Sequence, residues 1–188
     1  DFPSLVAGRI AEQIEADSLS LLKAITDKEF LKQKNLSEAT QLNIYLPNTY
    51  EMYWNTSAEE FRERMWKEYN NYWTATRKQK AEKLGLKPNE VISLAAIVQK
   101  ETARVDERPK VAGVYLNRLK RGMKLQADPT VIYALKKTQN NFDTIIKRVL
   151  FKDLKIDSPY NTYKNKGLPP GPIAMPDLTS IEAVLNAE

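Results

Sequence analysis

The sequence predicts an α+β fold: a helix-rich domain with a small β-sheet and a long Pro/Gly-rich loop, preceded by a helical arm. Three observations predict it. Apolar residues recur at helical spacing through much of the 188-residue chain. Leu42, Ile44 and Leu46 alternate along the chain as the buried face of a strand does. Residues 159–176, PYNTYKNKGLPPGPIAMP, hold five of the ten prolines and two of the six glycines, a composition for a long rigid loop rather than a flexible linker. Residues 1–41 form the arm and residues 42–188 the domain.

The arm carries Val6, Ile10, Ile14, Leu21 and Ile25 at helical spacing. Asp17-Ser18 divides it into two short helices and supplies a cap for the second. The helical region runs to about Asn35 and is too small to hold a core alone, so it is expected to pack on the domain. Pro47-Asn48 breaks the strand around Leu42–Leu46, and Tyr50 to Trp54 reads as a second extended piece.

Ser57 and Glu60 form the capping-box pattern S-x-x-E at the start of a long helix, which Gly85 ends. Phe61, Met65 and Tyr72 share one stripe of it; Trp66, Tyr69 and Trp73 share a neighbouring one. Residues 50–73 hold 8 of the 17 aromatic residues. Flat rings stack on sugars, but a stripe at helical spacing favours core.

Val91 to Val98 contains one polar side chain, Ser93, and Pro88 stands at a first helical position. This is a buried helix. Beyond it, Asp106 is placed as an N-cap, and Val111, Val114, Tyr115 and Leu119 give a helical face. Lys120 and Arg121 suit the last turn, and Gly122 stops it. Asp128-Pro129 reads as cap and first position of a helix to about Lys136, with Val131, Ile132 and Leu135 inside. Phe151, Leu154 and Ile156 fit a strand or a packed loop. Thr179 and Glu182 make a second capping-box pattern, opening a final helix that runs to Glu188.

The chain has no Cys and no His. That excludes a disulfide framework, a thiol nucleophile, a zinc site of the usual ligand types and a Ser-His-Asp triad. Acid–base chemistry falls to Asp, Glu, Lys or Tyr. The net charge of +5 is uneven: residues 1–40 carry seven acids and five bases, the remainder 17 acids and 24 bases. A basic domain points to an anionic polymer or surface. No basic run or recognised motif supports nucleic acid.

Glu101 is the candidate for that chemistry. It follows the apolar helix at i+3 from Val98, i+4 from Ile97 and i+7 from Leu94, where the helix leaves the core. Desolvation at such a mouth favours a protonated carboxyl group, as a general acid requires. The competing role is a surface glutamate paired with Arg104 at i+3.

Three blocks together resemble the YceG-like (MltG) family of bacterial endolytic murein transglycosylases. They are LAAIVQKETARVDERPKVAGVYLNRLKRGMKLQADPTVIYAL (Leu94–Leu135), SPYNTYKNKGLPPGPIAMP (Ser158–Pro176) and LPNTYEM (Leu46–Met52). The resemblance runs from about residue 42 to the end and makes residues 42–188 the catalytic domain. Residues 1–41 match loosely, as the tail of a LysM-like subdomain. Asn48 and Met175 depart from the residues usual in the family.

The resemblance implies cleavage of the β-1,4 bond from N-acetylmuramic acid to N-acetylglucosamine within peptidoglycan glycan strands. It implies Glu101, in K-E-T, as the catalytic residue, with no metal or cofactor. A lytic transglycosylase needs one carboxyl group where ordinary glycosidases need two, because the sugar's own C6 hydroxyl is the nucleophile. Substrate contacts are expected from Gln126, Asp128, Tyr160, Asn161, Thr162, Tyr163, Leu168 and Pro169. Asp128 is equally a helix cap, and the Gly167-to-Ile173 turn is either a cleft wall or plain packing. The implied setting is the cytoplasmic membrane, single-pass, with an N-terminal anchor outside this chain and this domain on the extracytoplasmic side. Glycan strands are the implied partner, with cell-wall synthesis proteins as further partners and no nucleic acid. The chain is expected to be cut short at both ends, with a further extended segment pairing with the strand around Leu42–Leu46. A non-catalytic peptidoglycan-binding or scaffold module stands as the alternative; aromatics and basic charge would suffice for it.

Overall fold

Helix α6 (Pro88–Glu101) is the element the others pack around, in a computed structural model that describes residues 2–187. Before it come α1 (Phe2–Ala11), α2 (Ser18–Ile25), α3 (Lys28–Gln33), α4 (Ala58–Tyr72) and α5 (Ala75–Lys83). After it come a 3₁₀ turn (Val105–Glu107), α7 (Arg108–Lys120), α8 (Asp128–Thr138), a second 3₁₀ turn (Asp153–Lys155) and α9 (Leu178–Leu185). Every residue from Val91 to Val98 is buried, as expected of a helix apolar on all sides. Its flanks meet α5, α7, α8 and α9. Pro88 opens it at the first position, and Glu90 accepts from the Lys87 N–H at 2.7 Å.

Among the described residues there is no strand, so the expected α+β class with a small β-sheet is wrong and the fold is helical with long ordered loops. Residues 38–44 form successive turns, in which the Asn43 N–H donates to Thr40 O and the Tyr45 N–H to Leu42 O. All six residues from Gln41 to Leu46 are buried. Alternation therefore sorted no faces: Asn43 and Tyr45 are as hidden as Leu42 and Ile44. The pairing expected for that strand has no strand to join. Tyr50–Trp54 forms no strand; the Trp54 carbonyl accepts from the Glu15 N–H of the arm at 2.8 Å.

The arm shares the main core. Val6, Ile14, Leu21, Ile25, Phe30 and Leu31 belong to one apolar cluster with α6. Asp17 caps α2, accepting from the Ser20 N–H at 2.8 Å. Helix α1 lies on α2, and α2 on α4. The capping box forms as expected: Ser57 accepts from the Glu60 N–H at 3.1 Å, and Glu60 from the Ser57 N–H at 2.9 Å. The helix it opens is not continuous to Gly85; it stops at Tyr72, and Thr74 caps α5 by accepting from the Arg77 N–H. The aromatic stripe is mostly core, with Phe61, Met65, Tyr69 and Trp73 buried and Trp66 and Tyr72 half-buried.

Three expected caps are displaced, the third being Asp128 at the start of α8. Asp106 caps nothing and binds Arg104 at 2.9 Å, while the 3₁₀ turn leads into α7. Thr179 and Glu182 form no capping box: Asp177 caps α9 through the Ser180 N–H at 2.8 Å, and Glu182 reaches Arg77 and Tyr72. Helix α9 ends at Leu185; Glu188, where the sequence was expected to end it, lies outside the described residues. In α7, Val114 faces out at 54% exposure, while Tyr115 and Leu116 are buried. Residues 139–157 are a loop with one 3₁₀ turn, and Phe151 stands 90% exposed.

The Pro/Gly-rich loop is ordered by contact with the arm side. A Cβ on Gly171 would collide with the carbonyl oxygen of Ala39, so only glycine lets the two backbones approach this closely.

Candidate active site

Glu101 is the last residue of α6, and its side chain is exposed. Leaving the core at the end of a buried helix puts its carboxylate at the surface on a rigid base. Oε2 accepts a hydrogen bond from the Tyr115 hydroxyl at 3.1 Å. Arg104, the expected partner, instead binds Asp106 at 2.9 Å and Glu107 at 3.0 Å. The pairing of Glu101 with Arg104 is thus overturned. Tyr115 is 6% exposed in α7, and burial, then the neighbouring Glu101 carboxylate, pushes its hydroxyl well above the usual tyrosine value. It therefore stays protonated and remains a donor.

Asp128 is not a cap. It is the first residue of α8, and its Oδ1 accepts from the Tyr163 hydroxyl at 2.6 Å. Burial comes first in raising the Tyr163 hydroxyl to about 12; the Asp128 hydrogen bond and charge and the Glu101 charge add to it, against the Arg118 cation. Arg118 acts on Tyr115 in the same sense. Glu101, Tyr115, Arg118, Asp128 and Tyr163 thus form one electrostatic neighbourhood.

The backbone under this group is pinned from within. Arg118 donates to the Leu125 carbonyl. Gln126 has φ +53°, in the left-handed region that residues with a Cβ seldom adopt. Its N–H donates to Thr162 O at 3.1 Å, and the Ala127 N–H to Thr162 Oγ1 at 3.0 Å. Thr130 and Thr162 share a hydroxyl contact of 2.8 Å in the buried interior. The 123–127 segment and the 158–165 loop are thereby locked together, with Gln126 and Asp128 exposed on the outside.

The expected contact residues separate into three groups. Gln126, Asp128 and Tyr163 stand in the same segment pair as the Glu101 neighbourhood and are at least partly accessible. Tyr160, Asn161 and Thr162 are engaged internally. Asn161 donates to the Leu154 and Ile156 carbonyls at 3.0 and 2.8 Å and accepts from the Tyr163 N–H. Tyr160 packs on Tyr133 with ring centroids 4.7 Å apart. Leu168 and Pro169 line a separate cleft of about 460 Å³ between the turn after α5, α6 and α7, with Asn89 and Lys120. Sequence reasoning missed Tyr115 because it sat on a helical face already explained by packing, and Arg118 because no pattern singled it out. The available signal was the hydroxyl of Tyr115 on an apolar face, which needs a partner when buried.

The YceG-like family profile matches residues 4–188. The chain is 34% identical over 199 residues to an endolytic murein transglycosylase of Bacillus subtilis, covering 97% of this chain and 53% of that protein. It is 34% identical over 174 residues to an endolytic murein transglycosylase of Streptococcus pneumoniae, covering 90% of this chain and 30% of that one. The chain therefore spans about half or less of the length of these relatives. A 2.6 Å crystal structure of a yceG-like protein from Listeria monocytogenes superposes with a TM-score of 0.76 at 33% identity, covering 98% of this chain and 64% of that one.

Proposed function

Because this chain belongs to the YceG-like family, we propose that it acts as an endolytic murein transglycosylase, with Glu101 as the group that moves the proton. The observation that carries the reading is the Glu101–Tyr115 hydrogen bond beside the Asp128–Tyr163 pair. Only Oε2 of Glu101 is hydrogen-bonded among the described residues, which leaves Oε1 as the oxygen to serve a bound glycan.

In the proposed reaction the protonated Glu101 gives its proton to the leaving glycosidic oxygen as the bond to muramic C1 breaks. The resulting carboxylate takes the proton of the muramic C6 hydroxyl. O6 then bonds to C1, closing a 1,6-anhydro ring and returning Glu101 to its protonated form. Proximity of the sugar's own hydroxyl replaces a second enzyme carboxylate. Tyr115 is a donor suited to holding Glu101 when it is ionised, the stage at which a charge-assisted hydrogen bond is strongest. Gln126, Asp128 and Tyr163 are the accessible groups for sugar hydroxyls and acetamides. Tyr160, Asn161 and Thr162 are read as holding that rim in place, and Leu168 and Pro169 as a wall away from the cut bond. The family resemblance extends the reading to a membrane anchor outside this chain, with this domain on the extracytoplasmic side.

The test is digestion of peptidoglycan in isotopically labelled water, with the products weighed by mass spectrometry. Anhydro-muramic ends without label are expected. Reducing muramic ends carrying the label would make the protein a hydrolase, with Asp128 as the candidate base, since Asp106 and Glu107 are both tied to Arg104. No cleavage would favour the binding module.

A further inference from the structure

A groove of about 1030 Å³ runs between the arm and the body. At one end it is lined by Lys100 and Pro129, the chain neighbours of Glu101 and Asp128. Its walls are largely apolar: Val6 and Ile10 from α1, Ile132 from α8, and Ile173 from the Pro/Gly-rich loop. Three cations line it, Arg9, Lys100 and Lys136, and no Asp or Glu does. Among the described residues none of the three forms an ion pair with a carboxylate. Lys136 donates only to the Phe142 carbonyl, at 3.3 Å. Cations without a carboxylate partner are common elsewhere on the surface; what sets this groove apart is that no carboxylate lines it, where two other clefts carry Glu90 and Glu38.

A neutral glycan strand offers no charge to a groove that has three cations and no carboxylate. A peptide-bearing one does. In murein, every second sugar carries a short peptide whose free carboxylates and small apolar side chains match a groove that is apolar along its walls and positive throughout. We infer that this groove takes the peptide substituent of the strand, with Arg9, Lys100 and Lys136 facing its carboxylates. This rests on murein being the substrate, and it adds a specificity site to the cut site. Lys100 and Pro129 are the chain neighbours of Glu101 and Asp128, so a peptide seated beside them would help fix which sugar lies at Glu101. Exposed ion pairs are individually weak, so the discrimination is a sum of small gains.

The probe is a soluble disaccharide carrying its peptide, compared with the same disaccharide stripped of peptide, each titrated into the full chain by calorimetry. The peptide-bearing form is expected to bind about tenfold tighter, a few exposed ion pairs' worth. Added salt should shrink that preference. Arg9→Glu and Lys100→Gln, both at exposed positions, should each reduce it by about threefold while their thermal melts stay unchanged. Equal binding of the two forms, or a preference untouched by both substitutions, overturns the inference. Self-association that masks the groove and is relieved by Arg9→Glu would assign it to a second copy instead, and equally overturns it. The binding assay needs no cleavage: peptide preference without anhydro products would count against the cleavage reading alone.

Discussion

The Tyr115 hydroxyl donates to Oε2 of Glu101 across 3.1 Å, from a helix 14 residues further along the chain. One partner ends a buried helix and is exposed; the other is buried in the next helix. The pair joins α6 to α7 at the point where the core reaches solvent. Tyr115→Phe keeps the ring and removes the donor. The fold should hold, while kcat falls about tenfold and KM barely changes, as expected when a hydrogen bond to a charged group is lost after binding. Steady-state kinetics on solubilised glycan strands check this, and an unchanged kcat would remove Tyr115 from the mechanism.

Trp73 is 2% exposed and meets Tyr69 and Tyr72 edge-on. Trp73→Ala should cost about 3–5 kcal/mol. Trp66 is half-buried, stacked on Tyr69 with centroids 5.8 Å apart. Its replacement should cost less, about 1–3 kcal/mol. Chemical denaturation beside a glycan-binding measurement separates these losses from a sugar platform, which would show the opposite pattern.

Gly171→Ala places a methyl group against the Ala39 carbonyl. Backbone on both sides must move, at a cost of roughly 1–3 kcal/mol. A melt within experimental error of the parent's would show that the loop is not held against residue 39.

Asp177 joins the α9 cap to the buried Arg108, which donates at 2.9 Å and is 5% exposed. Burial works against the Asp177 carboxylate, but hydrogen bonds from Thr179, Ser180 and Arg108 outweigh it and hold its pKa below the usual value. The folded state therefore binds this proton less readily than the unfolded chain. Its contribution is present above the unfolded value of about 3.9 and is lost as pH falls through the lower folded value. Asp177→Asn should flatten that acid limb in thermal melts taken from neutral pH down to about pH 3. The carboxylate is 43% exposed, so the loss at neutral pH should be about 1–3 kcal/mol, between the values for exposed and buried pairs.

The sequence made α6 legible because eight apolar-dominated residues in a row have only one way to be buried in a helical protein. The place of Glu101 at the end of α6 was legible for the same reason, as the first acid beyond that run; the desolvation expected there is absent, since its side chain is exposed. The region Gln41–Leu46 was not, because alternation signals a strand only when one face meets solvent, and here both parities are buried. Asp128-Pro129 carried a true helix start but hid the role of the carboxylate. A one-residue difference in where α8 begins turned Asp128 from a backbone cap into the acceptor for Tyr163, 35 residues away. The internal hydrogen bonds of Asn161 and Thr162 were equally hidden, since partners across a loop leave no periodic trace.

Glu101→Gln tests the central claim most directly, because it keeps shape and hydrogen bonding while removing the transferable proton. The measurement is the rate of appearance of anhydro-muramic ends from peptidoglycan, with the fold of the variant checked by its melt. The account predicts a folded protein that still binds glycan and whose rate drops by roughly 10²–10⁴-fold. A folded variant that cuts at near the parent rate would contradict it.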